Sequence, residues 1–377
     1  MLTWVVLVPS LVCVCVCVCK GSGLNMESTD PAYIASVKKS VDYAHSKGIE
    51  IGGYNLMAAS RTVGGGGECI NANGQSGGSA CLASEWSDDY FDTIKHFITV
   101  TGFDTIETDG PYEGAVCYNA SHAHHKGAGD SHWRQYERNM DFYAWCKQRG
   151  IYIHAPDPFY MRGINKDGMG YVETNWNLPL WEQINLARQN IYDGTWNKIP
   201  SQGWMFVPID VYHGGWPECC IEPAGFLGGQ WEWYLAMYFG TGVSPAYRGH
   251  RLYNEAIPES KALVQKYTAW NAKYRAILHA DLLHLKRADG NGIDAMLHVE
   301  PDVSKSKERA MLIVFNQNPH LAANTTLKVP LYYSSLSTTV NVSISGAAPS
   351  TMALARDWSV TLPINMRPNT IAWYVFE

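Results

Sequence analysis

Gly102-Phe103-Asp104-Thr105-Ile106-Glu107-Thr108-Asp109-Gly110-Pro111-Tyr112 contains a predicted strand, Phe103 to Asp109, that ends in a carboxylate. Side chains alternate between the two faces of a strand, so Thr105, Glu107 and Asp109 are expected to point the same way. Because Gly-Pro follows directly, Asp109 would lie where the strand opens into its loop. In (β/α)₈ barrels that rim carries the active site. The alternative is that Asp109 only caps the next helix or turn.

A second segment upstream supports a barrel. The predicted helix Pro31 to Lys47 ends in the run Tyr43-Ala44-His45-Ser46-Lys47, Gly48 stops it, and a short apolar strand from Ile49 to Met57 follows. This segment resembles the third helix–strand unit of α-galactosidases and α-N-acetylgalactosaminidases. Residues 102–110 resemble their fourth strand, whose Asp is the nucleophile. The resemblance follows the barrel in order, with high identity only in these short runs, and implies a distant relative within this clan of retaining α-glycosidases.

The chain departs from that family two residues before the candidate nucleophile, where the family has Lys and this chain has Glu107. A Lys donates hydrogen bonds to sugar hydroxyls, whereas an ionised Glu only accepts them. The resemblance therefore implies Asp109 as nucleophile and Glu107 as a substrate contact, with a sugar specificity that differs from simple galactose recognition.

Two later strands supply the remaining carboxylates. Ile151 to Asp157 is the predicted fifth strand, where the family's Glu binds substrate hydroxyls and Asp157 takes that place. Gly170 to Trp176 is the predicted sixth strand, and Glu173 is the acid/base that the resemblance implies, where the family uses Asp. Alternatively, Asp157 begins a turn before Pro158, and Glu173 pairs structurally with Arg162 or Arg188.

The seventh strand offers competing candidates. Gly203 to Asp210 is the predicted strand, and Asp210 is a second candidate for the acid. Four further residues are predicted to contact substrate: Tyr112, His154, Trp176 and His213. Retaining glycosidases use two carboxyl groups and need neither a metal nor an organic cofactor, so none is assigned.

The domain organisation follows from a change in periodicity. Residues 1–24 are a mostly apolar leader, residues 25–280 alternate helices and strands as a (β/α)₈ barrel does, and residues 281–377 show short alternating strands typical of an antiparallel β-sandwich. Further helices are predicted over 88–101, 133–149, 180–192, 229–239 and 259–278, and residues 61–80 are predicted to be a glycine-rich loop.

The leader ends in an alternation of Val and Cys from Val12 to Cys19. It is apolar enough for a signal sequence but has no basic start or clear cleavage site, and it is barely long enough for a membrane anchor. A translated TG repeat gives the same alternation, so we expect a gene-model artefact, with the first two barrel strands missing. Sequons at Asn119, Asn324 and Asn341 favour a secreted or lysosomal-type glycoprotein.

Cysteines and histidines suggest two further features. Cys69 and Cys81 flank the glycine-rich loop and are the expected disulfide pair. The loop after Asp109 carries Cys117, His122, His124, His125 and His132, which suggests a metal site. No carboxylate or Cys lies at ligand spacing along the chain, so a metal-dependent hydrolase built on these histidines remains only an alternative.

The charge and the aromatic content of the chain indicate which classes of binding partner to expect. The net charge is −6 without a basic run, which disfavours nucleic acid and anionic membrane surfaces. Trp (14 residues) and Tyr (22 residues) are abundant, and aromatic rings stack on sugar faces. The sequence therefore favours an oligosaccharide, polysaccharide or glycoconjugate substrate. A second alternative is a non-catalytic or truncated carbohydrate-binding relative.

Overall fold

The computed structural model of this 377-residue chain describes residues 3–7, 13–17, 24–58, 61–109, 114–154, 171–172, 180–195, 204–208, 228–248, 253 and 258–377. It divides into two compact units, Met1–Tyr171 and Val172–Glu377. Within the described ranges, no helix is both long and apolar enough to cross a membrane.

The first unit alternates strands with helices. Its elements are β1 (Thr3–Leu7), β2 (Cys13–Cys17), α1 (Pro31–His45), β3 (Glu50–Leu56), β4 (Glu68–Ile70), β5 (Ser76–Ala80), α2 (Trp86–Thr101), β6 (Thr105–Asp109), α3 (Ala128–Gln148) and β7 (Tyr152–His154). The short strand β8 (Tyr171–Val172) lies at the boundary of the two units.

Helix α1 shows how the sequence determines these elements. The Asp30 side chain accepts a hydrogen bond from the Ala32 amide, and Pro31 occupies the first helical turn, as predicted. Ile34, Val41 and Ala44 bury one face of the helix.

The strands of the first unit form a sheet in the order β1-β2-β3-β6-β7. Strands β2, β3, β6 and β7 pair in parallel, whereas β1 and β2 form an antiparallel hairpin. The core packs Ile106 and Ile153 of the sheet against Phe97 of α2 and Phe142 of α3. The parallel strands separated by helices match the expected α/β layer, while closure into an eight-stranded barrel stays a prediction.

Three local details differ from the sequence prediction. The glycine-rich stretch is not all loop, because β4 and β5 form a hairpin within it. Helix α3 begins at Ala128, five residues before the predicted start, because its first turn is polar and lacks the apolar periodicity that marks a helix. The Val-Cys stretch of the leader forms β2, which lies beside β3 with Cys13 opposite Glu50.

The second unit begins with α4 (Leu180–Gly194), β9 (Trp204–Pro208), α5 (Gly228–Gly240), β10 (Ser244–Arg248) and α6 (Pro258–Leu278). β9 and β10 pair in parallel. Eight strands follow: β11 (Asp281–Lys286), β12 (Ile293–Val299), β13 (Ala310–Asn316), β14 (Ala323–Pro330), β15 (Thr339–Ile344), β16 (Ser350–Ala353), β17 (Ser359–Met366) and β18 (Thr370–Phe376).

These strands confirm the predicted antiparallel sandwich. One sheet has the order β11-β12-β13-β18-β15-β16, and β14 pairs with β17 in the other. Strands β12 and β13 are buried on both faces. One face lines the sandwich core, and the other contacts the helices, where Ile313 lies against Gly240 and Phe315 against Trp233. The two strands β16 and β17 were not predicted, because β16 is short and exposed and β17 contains Pro363.

Gly52→Ala is expected to destabilise the first unit. A Cβ at position 52 would lie 1.8 Å from the carbonyl oxygen of Thr105, so β3 and β6 would have to move apart. Overpacking of this kind costs about 1–3 kcal/mol or more. Gly64→Ala is the matched control, since a Cβ there meets nothing within 4 Å. Urea unfolding should show a lower midpoint for G52A only, and equal midpoints would contradict this expectation.

Acidification is expected to weaken the second unit through His298. Burial lowers the pKa of His298 to about 4 from its ordinary 6.5, although its hydrogen bond to the Gly240 carbonyl acts in the other direction. Between those pH values the unfolded chain binds a proton that the folded chain does not. The contribution of His298 to stability is therefore fully present above pH 6.5. The free energy of unfolding falls by about 3 kcal/mol as the pH decreases towards 4.

The variant His298→Gln tests this dependence, because a Gln amide can still donate to Gly240 but does not titrate. The free energy of unfolding, measured against pH, should fall less steeply in H298Q than in the wild type over this interval. Parallel profiles for the two proteins would show that His298 is not the responsible group.

Candidate active site

The carboxyl ends of β3, β6 and β7 bring the candidate residues into two rows of the sheet, two residues apart. In the register of the sheet, Tyr54 of β3 lies opposite Glu107 of β6, and Glu107 lies opposite His154 of β7. Two residues further along the strands, after the pair Asn55–Thr108, Leu56 lies opposite Asp109, the last residue of β6. The parallel ladder therefore gathers Tyr54, Glu107, His154 and Asp109 at one edge of the sheet.

The other side chains of β6 establish which face this is. Ile106 packs into the core formed with α2 and α3, and the Thr108 hydroxyl lies 2.6 Å from the Tyr143 hydroxyl on α3. Because side chains alternate along a strand, Thr105 and Glu107 point to the face away from these helices. Both are buried, with Glu107 only 1 % exposed. Tyr54, paired with Glu107, shares that face and is half-buried.

An arginine supports the end of β3 beside Asp109. Arg61 donates to the carbonyl oxygen of Leu56 at 2.8 Å and forms an ion pair with Glu27. Its guanidinium lies over the rings of Trp86 and Tyr90, at 4.9 and 5.0 Å from their centroids. These contacts fix the chain directly after β3, so the rim next to the candidate nucleophile is held by charge and stacking.

Five of the predicted site residues lie outside the described residues: Tyr112, Asp157, Glu173, Trp176 and His213. The competing acid Asp210 also lies outside them. The assignments of all eight site residues stay predictions. The proposed structural partner Arg188 forms a buried ion pair with Asp294, and its guanidinium lies 3.8 Å from the centroid of the Phe315 ring.

The histidines after β6 separate into two groups. His124 lies 2.8 Å from Asp88, which also pairs with Arg138, and His132 lies exposed on α3. Partial burial acts to raise the pKa of Asp88, but the hydrogen bond from His124 and the charge of Arg138 hold it below its usual range. These two histidines are therefore separate from the other pair.

His122 and His125 are brought together with two cysteines. The Sγ atoms of Cys81 and Cys117 and one ring nitrogen of each histidine all lie within 4.8 Å of one another. The sequence alone does not predict this set of ligands, because Cys81 lies 36 positions before Cys117 and only the fold brings them together. The spacing of Cys117, His122 and His125 was the available signal.

The expected Cys69–Cys81 disulfide is absent, because both cysteines are free and buried. Their thiols lie instead in a group with Cys117. A hydrogen bond to Cys117 raises the pKa of Cys81 to about 12, whereas hydrogen bonds from Cys69 and Cys81 hold the pKa of Cys117 far below its ordinary value.

Comparison with solved structures identifies the fold. A protein of Bacillus halodurans described as an α-N-acetylgalactosaminidase superposes with a TM-score of 0.54 at 13% identity, covering 97% of this chain and 88% of that chain. AgaB, a GH36 α-galactosidase of Geobacillus stearothermophilus, gives a TM-score of 0.57 at 12% identity, covering 89% of this chain and 46% of that chain. AmyP in complex with maltose gives a TM-score of 0.55 at 9% identity, covering 93% of this chain and 80% of that chain.

The fold is similar to that of solved α-galactosidase-like glycosidases. This confirms, at the level of fold, the resemblance that the two short segments carry. No protein-family profile matches the chain, and no curated protein matches its sequence. At such low identities the specificity and the mechanism have to be argued from the residues of this chain.

Proposed function

We propose that the protein is a glycoside hydrolase that cleaves an α-glycosidic bond at a galactose-like or N-acetylgalactosamine-like residue and retains the anomeric configuration. The observation that supports this best is the edge of the parallel sheet, where β6 ends in Asp109 beside the row of Tyr54, Glu107 and His154. Active sites lie at this edge in barrels of parallel strands.

The proposed reaction is a double displacement with two carboxyl groups about 5–5.5 Å apart. Asp109 attacks the anomeric carbon while the bond to the leaving oxygen breaks, and Glu173 donates a proton to that oxygen. The resulting glycosyl ester on Asp109 is then attacked by water, whose proton passes to Glu173. Two inversions give net retention, and the second step restores both carboxyl groups.

Glu173 has to remain protonated at the start of the cycle. Negative charge on Asp157 and Glu107, together with aromatic burial, would supply the necessary upward shift in its pKa. Asp109 has to be ionised at the same time, so the two carboxyl groups need different surroundings.

Substrate recognition would combine stacking with hydrogen bonding. Tyr112 and Trp176 offer ring faces to a sugar, and Tyr54, which the strand register places beside Glu107, adds a third aromatic group. Asp157 and Glu107 would accept hydrogen bonds from sugar hydroxyls. His154 and His213 complete the proposed contacts.

Asp109→Asn should abolish turnover while leaving saccharide binding in place. An amide cannot form the glycosyl ester, so kcat on aryl α-galactoside and aryl α-N-acetylgalactosaminide should fall by on the order of 10³-fold or more. Asp92→Asn, an exposed change on α2, is the matched control and should keep full activity. Chromogenic assays and calorimetric titration with the free sugar measure the two properties.

The outcomes of that experiment separate the candidate functions. An active wild type with an active D109N would remove Asp109 as nucleophile. Sugar binding by both proteins with turnover by neither would instead favour the non-catalytic carbohydrate-binding relative.

Glu173→Gln should remove the alkaline limb of the pH–rate profile, because that limb reports ionisation of the acid. Hydrolysis of substrates with poor leaving groups should fall by roughly 10²–10⁴-fold. Azide, which attacks without base assistance, should restore turnover and give a glycosyl azide of retained configuration. If Asp210→Asn shows this behaviour and E173Q does not, the acid/base is Asp210.

A further inference from the structure

Two loops of the first unit meet in a small cluster of cysteine and histidine side chains. Cys81 directly follows β5, while Cys117, His122 and His125 belong to the loop between β6 and α3. All four are buried, with exposures of 0, 0, 6 and 4 %. Buried polar groups converging from separate loops indicate a built site, since a solvated loop would leave its histidines in water.

Three of the distances within the cluster are close to the edges of a tetrahedral metal site, and all four candidate ligand atoms lie within 4.8 Å of one another. Cys81 Sγ lies 3.6 Å from His125 Nε2, Cys117 Sγ lies 3.6 Å from His122 Nδ1, and the two ring nitrogens are 3.0 Å apart. With Zn–S bonds of about 2.3 Å and Zn–N bonds of about 2.05 Å, a zinc tetrahedron has S···N edges of about 3.6 Å and an N···N edge of about 3.3 Å.

The outer nitrogens of both rings face backbone carbonyl groups. His122 Nε2 lies 2.8 Å from the Gly66 oxygen, and His125 Nδ1 lies 3.2 Å from the Gly127 oxygen. When both outer nitrogens donate, the inner nitrogens present lone pairs to each other, which a shared cation would bind. His125 Nδ1 is also 3.1 Å from the Gly127 amide, so metal binding would select the donating tautomer. Metal-bound histidines are usually oriented in this way.

The glycine run 64–67, which precedes β4, presents a backbone carbonyl to His122. Gly66 has a φ of 86°, a region that favours glycine, and its carbonyl oxygen is the one that His122 meets. The two loops are joined further by hydrogen bonds from the Ile70 amide to Cys117 Sγ and from the Tyr118 amide to the Ile70 oxygen. A backbone donor to a ligand sulfur stabilises its charged form.

We propose that Cys81, Cys117, His122 and His125 bind one structural Zn²⁺ that ties the β5–α2 segment to the loop after the candidate nucleophile. Two thiolates and two imidazoles in a tetrahedral set select zinc over harder cations. Four protein ligands leave no open position for water or substrate, so the ion stabilises the fold, in contrast to the metal-dependent hydrolase considered as an alternative. Cys117 lies eight residues after Asp109, so the ion would anchor the loop that follows the candidate nucleophile.

Metal content tests the proposal directly. The full chain, free of any affinity tag and with reduced thiols, is loaded with Zn²⁺ alone, desalted and measured by elemental mass spectrometry. About one zinc per chain is expected. Loading with Co²⁺ instead should give the visible absorption of tetrahedral cobalt and a thiolate-to-cobalt charge-transfer band.

Paired variants locate the ion. His125→Gln and Cys117→Ser should lower the zinc content from about one per chain to near zero, because each removes a ligand. His124→Gln is the matched histidine control, since His124 contacts Asp88, and Cys146→Ser is the thiol control, since Cys146 is a buried cysteine on α3 outside the cluster. Both controls should keep their zinc.

A measurement on the wild type tests the proposal even if the variants fail to fold. Bound zinc should protect Cys81 and Cys117 from alkylation, and a chelator should expose them, as read by peptide mass spectrometry. Absence of zinc from the reduced wild type, a Cys81–Cys117 disulfide in its place, or zinc retained by H125Q as well as H124Q would overturn the proposal. None of these measurements needs a substrate, so they stand apart from the test of glycosidase activity.

Discussion

The close approach of β3 and β6 is the constraint on which the candidate active site depends. At Gly52 the strands lie so near each other that no Cβ fits beside the carbonyl oxygen of Thr105. This contact fixes the register, and the register places Tyr54 beside Glu107 and Leu56 beside Asp109. Because parallel strands direct their carboxyl ends to one edge, a single backbone contact positions a candidate nucleophile and its neighbours together.

Different interactions stabilise the two sides of that edge. Behind it, Ile106 packs against the helices, and the Thr108 hydroxyl meets Tyr143. At its rim, Arg61 joins the Leu56 carbonyl to Glu27 and two aromatic rings. Apolar burial thus holds the strands, while charge and stacking add to it at the rim, where Met57, Ala58 and Val63 also join the apolar core.

The sequence predicted the parts of this structure that depend on local patterns. Helix α1 follows from its Asp30 cap and apolar spacing, and the strand ending in Asp109 follows from alternation and the Gly-Pro that succeeds it. Residues that depend on distant chain segments were harder to place. Tyr54 was not assigned to the site, because its position beside Glu107 depends on the register of β3 against β6. Cys81 was assigned to a disulfide, because its neighbours Cys117 and His125 lie far along the chain.

The composition of the two loops gives a physical reason for a metal at this point. The apolar cluster around Cys69, Cys81 and Cys117 otherwise contains only the small side chains of Ala83 and Ala115. Burial of such small groups contributes little, at about 25 cal/mol per Å², while ordering each residue costs about 1–2 kcal/mol of backbone entropy. Glycine raises that cost, and this segment carries glycines in the left-handed region at Gly65 and Gly66. A bound ion contributes its binding free energy to folding, which makes an ordered glycine-rich rim compatible with a small core.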